Sequence, residues 1–197
     1  MLTEFTTEQN LRALSEDKQF EHFAAFLTVS SSLAEALDTG EVVIGASGDT
    51  GIDALAIVVN GSLVEDATEI DEFAERNGYL DVTFVFVQAE RSSSFETAKI
   101  GQFSFGVQDF FKETPALPRG KDIAKLAKIQ ASIYKQSSKF KRGNPVCRLY
   151  YVTTGTWTGD TALEARRRAA ADDLTALRIF RSVEVIPIDT EGIQRLY

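Results

Sequence analysis

Residues 82–87, VTFVFV, carry apolar side chains that would point to both faces of an extended strand. A strand that is apolar on both faces must be covered on both sides, so it lies inside a sheet between two other layers. The predicted strand runs from Leu80 to Ala89. This requirement favours the α/β class, in which helices flank a central sheet.

The rest of the chain supplies elements that fit this architecture. Asn60-Gly61 follows an apolar stretch and is a strong hairpin signal, which predicts two adjacent antiparallel strands. We therefore predict a central mixed sheet flanked by helices, in one domain over residues 1–197. Strands are predicted at 52–59, 62–65, 80–89, 147–153 and 183–188, and helices at 7–37 with a break near 15–18, at 68–76, 100–111, 121–140 and 161–179, and at the C-terminal end.

The composition indicates a globular chain in a reducing compartment. Hydrophobic residues make up 44% of the 197 residues and charged residues 25%, which is typical of a folded domain. Cys147 is the single cysteine, so no internal disulfide is expected and a cytoplasmic location is predicted. The polar, acidic N-terminus does not resemble a signal peptide, and the longest apolar runs are far too short to span a membrane.

The net charge of −8 conceals a basic segment. From Arg119 to Arg142 there are eight Lys or Arg residues and one acid, Asp122, which gives a local charge of +7 and leaves −15 on the rest of the chain. The overall acidity argues weakly against a nucleic-acid partner, because phosphates are bound by basic surfaces. The basic segment is the more specific of the two features.

Five lysines of the predicted helix 121–140 fall close to one line on its surface, at about 100° per residue. Two interpretations stay open. In the first, the lysines form an ordinary solvated face. In the second, they bind DNA or RNA: lysines four residues apart repel one another, and a phosphate backbone would relieve that repulsion. This lysine stripe consists of Lys121, Lys125, Lys128, Lys135 and Lys139.

Polar side chains occur where two predicted strands start and end. Asp53 begins a strand directly after a glycine-rich loop (Gly45, Gly48 and Gly51), while Gln88 and Glu90 end another strand. Positions 88 and 90 are two apart, so their side chains leave the same face of a strand. If the two strands are neighbours, three oxygen donors converge at one end of the sheet. Such a set suits Mg²⁺, which binds a scissile phosphate and activates a water for phosphodiester hydrolysis.

Four segments of the sequence together resemble a known family. They are FEHF at 20–23, GDTGIDALAIVVNG at 48–61, FVFVQAERSSSF at 84–95 and KIGQFSFGVQDFF at 99–111. In combination they are similar to the N-terminal domain of the AIPR (abortive infection phage resistance) proteins, over roughly residues 20–189. The resemblance implies a restriction-endonuclease-like fold of the PD-(D/E)xK kind and a role in defence against phage. Members of that family usually continue for several hundred residues. Two expectations stay open: the chain is part of a longer protein, whose C-terminal domain is then a partner, or it is a short homologue.

The resemblance also implies roles for individual residues. Asp53 matches the metal-binding aspartate, and Gln88 matches the (D/E) position, where some nuclease subfamilies coordinate the metal through a glutamine carbonyl oxygen. Glu21 matches an acidic residue of the first helix that helps to hold the metal. The implied cofactor is Mg²⁺ or Mn²⁺.

Glu90 departs from the family pattern, because a lysine is expected there. That lysine is thought to orient the attacking water and to offset developing negative charge, and a carboxylate cannot do the second. Some restriction endonucleases carry Glu at this position, where it binds metal or accepts a proton. Lys99, at the start of the next helix, is a candidate displaced lysine. The predicted catalytic set is therefore Asp53, Gln88, Glu90 and Lys99.

Other interpretations remain open from the sequence. Glu90 favours a catalytically inactive nuclease-fold module for nucleic-acid binding or oligomerisation, and the net acidity favours an interaction domain that binds no nucleic acid. Asp53 is alternatively a turn residue that holds the glycine loop. His22, the single histidine, is expected to be structural. A homodimer is also open, since dimers are common among nucleases that cut both strands.

Overall fold

The computed structural model describes residues 1–45 and 51–197. Residues 46–50, which include Gly48 of the predicted glycine loop, lie outside the described residues. The helices are α1 (Leu2–Glu8), α2 (Glu16–Val29), α3 (Glu69–Asn77), α4 (Thr97–Phe110), α5 (Lys121–Lys135), α6 (Thr161–Thr175) and α7 (Thr190–Leu196), and the strands are β1 (Ala54–Val59), β2 (Ser62–Leu63), β3 (Val82–Glu90), β4 (Val146–Thr153) and β5 (Ser182–Ile188).

Within the described residues, the strands form one five-stranded mixed sheet in the order β2-β1-β3-β4-β5. β1 is antiparallel to both β2 and β3, whereas β3, β4 and β5 are parallel to one another. Helices flank this sheet. The predicted α/β class is thus confirmed, and the arrangement is consistent with a restriction-endonuclease-like core.

β3 is the central strand that its sequence predicted. Phe84 and Phe86 are fully buried in the core cluster that also holds residues of α4, α5 and α6. Val85 and Val87 are fully buried in a second cluster, built largely from α1 and α2 on the opposite face. The alternation of side chains along a strand distributes these apolar groups between the two layers.

The predicted helix at 7–37 corresponds mainly to α2, which ends earlier, whereas α1 lies almost entirely before the predicted start. Asn10 takes a positive φ of 57°, and the Ser15 hydroxyl caps α2 by accepting a hydrogen bond from the Lys18 backbone N–H at 3.4 Å. Beyond Val29 the chain makes a 3₁₀ turn and then becomes extended at Leu33. The capping hydroxyl explains why α2 begins within the predicted break.

The predicted helix at 121–140 also ends early, because α5 stops at Lys135. The Leu80 N–H donates to the Lys139 carbonyl at 2.8 Å, and the Lys141 N–H donates to the Leu80 carbonyl at 3.1 Å. These bonds draw the backbone toward the segment that leads into β3, which a continued helix could not do. Lys139 therefore lies in a 3₁₀ turn, Ser137–Lys139, and not on the helix with the other four lysines of the stripe.

One end of the sheet brings together the start of β1 and the last residues of β3 and β4. The pairings of Ala54 with Val87 and of Glu90 with Thr153 define this end, which we call the site end. α4 begins beside it, three residues earlier than predicted. Of the helices in the described part of the chain, none has the length and apolar character needed to cross a bilayer.

Candidate functional site

Asp53 lies at the site end, just before β1. Its backbone N–H donates to the Val87 carbonyl at 2.9 Å, so the start of β1 is joined to β3. Its side-chain Oδ2 accepts a hydrogen bond from the Ala89 backbone N–H at 2.7 Å. The structure thus brings Asp53 to the end of the strand that carries Gln88 and Glu90, and it fixes the orientation of the carboxylate.

The electrostatic surroundings of Asp53 disfavour its negative charge. Burial raises the pKa of Asp53 to about 6, against the opposing hydrogen bond from Ala89. The Glu21 and Glu90 carboxylates raise this pKa further, whereas Lys18 lowers it. A buried carboxylate with two acidic neighbours is stabilised by a nearby cation, because the cation offsets both the desolvation and the repulsion.

Gln88 supplies a buried oxygen at the site end. The residue is 7% exposed, and among the described residues its Oε1 has no hydrogen-bond partner. It is paired in register with Tyr151 and alternates with Phe84 and Phe86, so it faces the layer of α4. An unsatisfied buried acceptor costs about 1–3 kcal/mol, so this amide oxygen suits a cation or a donating ligand.

Both carboxylate oxygens of Glu90 have partners. The Tyr151 hydroxyl donates to Oε2 at 3.0 Å, and the Lys99 Nζ lies 3.6 Å from Oε1. Lys99 is in the first turn of α4, so the structure brings it to the same face of the sheet as Gln88 and Glu90. The Glu90 side chain remains about 31% exposed.

Glu21 reaches the site end from the opposite face of the sheet, on α2. Its Oε2 lies 2.6 Å from the Lys18 Nζ. The first turn of α2 is held against the end of β3 by Arg91, which pairs with Glu16 and lies 4.0 Å from Asp17. Glu21 acts on the Asp53 carboxyl from this position.

The chemistry of the donor set fits a hard divalent cation. Asp53, Gln88 and Glu90, with Glu21, offer only carboxylate and amide oxygens, which Mg²⁺ and Mn²⁺ prefer. In the described part of the chain, however, no three or more His, Cys, Asp or Glu side chains are grouped to hold a metal ion. A cation at this site would therefore depend on the Gln88 oxygen in addition to the carboxylates.

Two residues at the site end were missed from the sequence. Lys18 lies three residues before Glu21, and this spacing on a helix was an available signal for an ion pair. Tyr151 gave no such signal, because its contact with Glu90 depends on the register between β3 and β4.

The serines that follow β3 build a loop. The Thr154 hydroxyl donates to the Ser92 carbonyl at 3.1 Å, and the Ser92 hydroxyl donates to the Ser94 carbonyl at 2.9 Å. Gly155 lies so close that a Cβ atom there would be 2.4 Å from the Ser93 carbonyl group. The loop fixes how the chain passes from Glu90 to α4.

His22 and Cys147 have structural environments. The His22 Nδ1 lies 2.7 Å from the hydroxyl of buried Thr39, and burial together with Lys18 lowers the pKa of the histidine. Burial raises the pKa of the Cys147 thiol, which is fully buried in the core. The environment of His22 agrees with the structural role expected from the sequence.

The lysine stripe is exposed, but acidic residues lie beside part of it. A cavity of about 360 Å³ is lined by Asp66 together with Lys121, Lys125 and Lys128. Lys125 and Lys128 both lower the pKa of Asp66, although less than its hydrogen bonds to Thr68. Acidic side chains of neighbouring elements therefore offset part of the lysine charge, which a phosphate backbone was expected to do.

Comparison of the chain with known protein families, with curated proteins and with solved structures finds no match.

Proposed function

We propose that this chain is a divalent-metal-dependent nuclease domain that hydrolyses phosphodiester bonds of DNA or RNA at the site end of the sheet. The proposal includes a role in abortive-infection defence against phage, as implied by the resemblance to the AIPR proteins. The observation that carries it is the buried Gln88 Oε1, which has no donor in the described part of the chain. Gln88 precedes Ala89, whose N–H holds the Asp53 carboxylate.

The residues of the site end would divide the work. Asp53, Gln88 and Glu90 would hold Mg²⁺ or Mn²⁺, with Glu21 contributing from α2. The bound ion would supply charge stabilisation and an activated water. Ala89 orients the Asp53 carboxylate, and Tyr151 orients that of Glu90.

Lys99 would supply the positive charge that the motif lysine supplies in the family. Its ammonium group is 3.6 Å from Glu90 and its side chain is 39% exposed, so it can reach a phosphate bound at the site end. An ammonium group there offsets negative charge that develops during hydrolysis.

The lysine stripe would contact the phosphate backbone of the substrate. Its first four lysines follow α5 for about 21 Å at 1.5 Å per residue. α5 begins beside the site end, because the Asp122 carboxylate accepts a hydrogen bond from the Gly45 N–H, and the adjacent Ile44 N–H donates to the Asp53 carbonyl. A phosphate backbone bound along the lysine stripe would therefore lead toward the site end.

The proposed setting is the cytoplasm, where phage nucleic acid is encountered and where the buried Cys147 thiol stays reduced. A homodimer would allow both strands of a duplex to be cut, and a C-terminal domain of the same protein would supply specificity.

A cleavage assay tests the proposal. Duplex DNA, single-stranded DNA and RNA are incubated with the chain in Mg²⁺, in Mn²⁺ and in EDTA. We expect metal-dependent cleavage that Asp53→Asn lowers by about 10²-fold or more, because the variant keeps an acceptor for Ala89 but loses the charge. Gln88→Leu should lower it as well. Asp172→Asn, at an exposed position of α6, is the matched control. Metal-dependent cleavage that survives Asp53→Asn contradicts the proposal.

A second candidate is a catalytically inactive module that binds nucleic acid or oligomerises. It is favoured by Glu90, whose two oxygens are already engaged by Tyr151 and Lys99. In that case the chain binds DNA or RNA in a salt-sensitive manner, and the cleavage assay shows no product in any metal.

A further inference from the structure

Two carboxylates at the site end are each paired with a lysine from a different helix. Lys18 of α2 lies 2.6 Å from Glu21, and Lys99 of α4 lies 3.6 Å from Glu90. The two helices pack on opposite faces of the sheet. The lysine side chains are 38% and 39% exposed, so each ammonium group borders on solvent while it contacts its carboxylate.

Asp53 interacts with both members of one pair and with the carboxylate of the other. Its carboxylate interacts electrostatically with Glu21, Lys18 and Glu90. These three carboxylates carry three negative charges against the two positive charges of the lysines, so one negative charge is left over. The Gln88 Oε1, which has no hydrogen-bond partner among the described residues, is a neutral oxygen two residues before Glu90 on β3. Without a metal, the three carboxylates and two ammonium groups carry a net charge of only −1. They can bind a divalent ion only if the ammonium groups move away from the carboxylates.

We propose that Lys18 and Lys99 are resident counterions of the site end, which leave Glu21 and Glu90 when a divalent cation binds and so lower the affinity for that cation. The inference rests on the proposed metal site. Each lysine has a long, flexible side chain that can turn into solvent without moving its helix, whereas α2 stays anchored through Arg91. The released ammonium groups are then free to contact a phosphate.

Binding of Mn²⁺ alone tests this inference without any nuclease assay. Free Mn²⁺ is measured by electron paramagnetic resonance at low ionic strength for the wild type and for Lys18→Met, Lys99→Met and the double variant. We expect each single variant to lower the Kd by about threefold to tenfold, because a competing charge at a half-exposed site is removed. Lys18→Gln and Lys99→Gln, which retain polarity, should behave in the same way.

The controls separate this inference from the proposed function. Lys141→Met removes the same charge from an exposed position that pairs with Leu80 at the opposite end of the sheet, and it should leave the Kd unchanged. Asp53→Asn in the double variant should abolish the gain. If the wild type binds Mn²⁺ and neither lysine change tightens binding, the counterion role is wrong while the metal site stands. If neither the wild type nor any lysine variant binds Mn²⁺, both proposals are wrong.

Discussion

At the scale of single residues, Asp53 combines a fixed hydrogen bond with an unfavourable charge. The Ala89 N–H holds its carboxylate in place, while burial and the neighbouring Glu21 and Glu90 oppose ionisation. Proteins retain such unfavourable charges where the charge serves binding or catalysis, and they lose stability in return. The same surroundings make the residue a measurable determinant of how stability depends on pH.

We predict that Asp53→Asn stabilises the metal-free chain at neutral pH and leaves it unchanged near pH 4. The unfolded chain releases the Asp53 proton near the ordinary pKa of 3.8, whereas the folded chain keeps it until about pH 6. The folded state therefore binds more protons in this window, and the free energy of unfolding falls as the pH rises through it. The gain of the variant should reach about 2–3 kcal/mol above pH 7.

Urea unfolding at several pH values in EDTA measures this difference. Asp172→Asn makes the same chemical change at an exposed position of α6 and is the matched control. A constant difference between wild type and Asp53→Asn across this range would mean that the Asp53 carboxyl titrates normally. Adding Mn²⁺ at pH 7.5 should reverse the order of stability, because only the wild type retains the charged ligand.

At the scale of elements, the turn after β4 is locked against the loop after β3. Ser94 forms an isolated bridge with Thr156, and the Thr154 hydroxyl donates to the Ser92 carbonyl at 3.1 Å. Gly155 permits this approach because it has no side chain. The contact holds the loop between β3 and α4, the two elements that carry Glu90 and Lys99.

We predict that Gly155→Ala destabilises the chain by about 1–3 kcal/mol, the usual cost of overpacking. The new Cβ would be 2.4 Å from the Ser93 carbonyl carbon and oxygen, which are backbone atoms and cannot turn away. Gly40→Ala is the control, since its Cβ would approach only the Asp38 side chain, at 3.1 Å. Thermal unfolding measures the midpoint temperature of both variants. Equal midpoints would show that the loop after β3 and the turn after β4 are not in tight contact.

The elements also show which parts of the fold the sequence patterns predict. The two-sided apolar pattern of β3 predicted its central position, because burial on both faces leaves no other place for it. The predicted ends of α2 and α5 were wrong. α5 stops where Leu80 pairs with Lys139 and Lys141, a contact between segments that are distant in the sequence. A helical pattern reports local preference, and such long-range backbone bonds override it.

The site was predictable to a similar extent. Asp53 and Gln88 stood out because polar residues follow or precede buried strands, and the antiparallel pairing of β1 with β3 brings those strand ends together. The hydroxyl contact of Tyr151 depends on which strand lies beside β3 and in what register, which one sequence does not specify. The partner of Lys99 likewise depends on where α4 starts.

At the scale of the whole molecule, the charge is strongly uneven. The chain carries −8 in total, yet α5 and the turn that follows it present five exposed lysines. Asp66 lines a cavity with three of these lysines, and Lys125 also acts on Glu41, which faces Glu65. Long-range repulsion from the acidic body and attraction to the stripe therefore oppose each other for any nucleic acid that approaches.

We predict that nucleic-acid binding depends on the stripe along α5 and weakens with salt. In Lys125→Glu/Lys128→Glu the affinity for duplex DNA should fall, and the slope of log K against log salt should decrease by about 1.8, since each lost phosphate contact removes about 0.9. Lys135→Glu/Lys139→Glu makes the same change in net charge, but Lys139 lies beyond the end of α5. If the phosphate backbone of the DNA follows α5, the slope of log K against log salt should decrease less in this second variant. Fluorescence anisotropy between 50 and 300 mM salt measures the slope for both variants. Equal losses of slope would mean that only the total charge matters. Unchanged binding in both variants would exclude the stripe as the nucleic-acid surface.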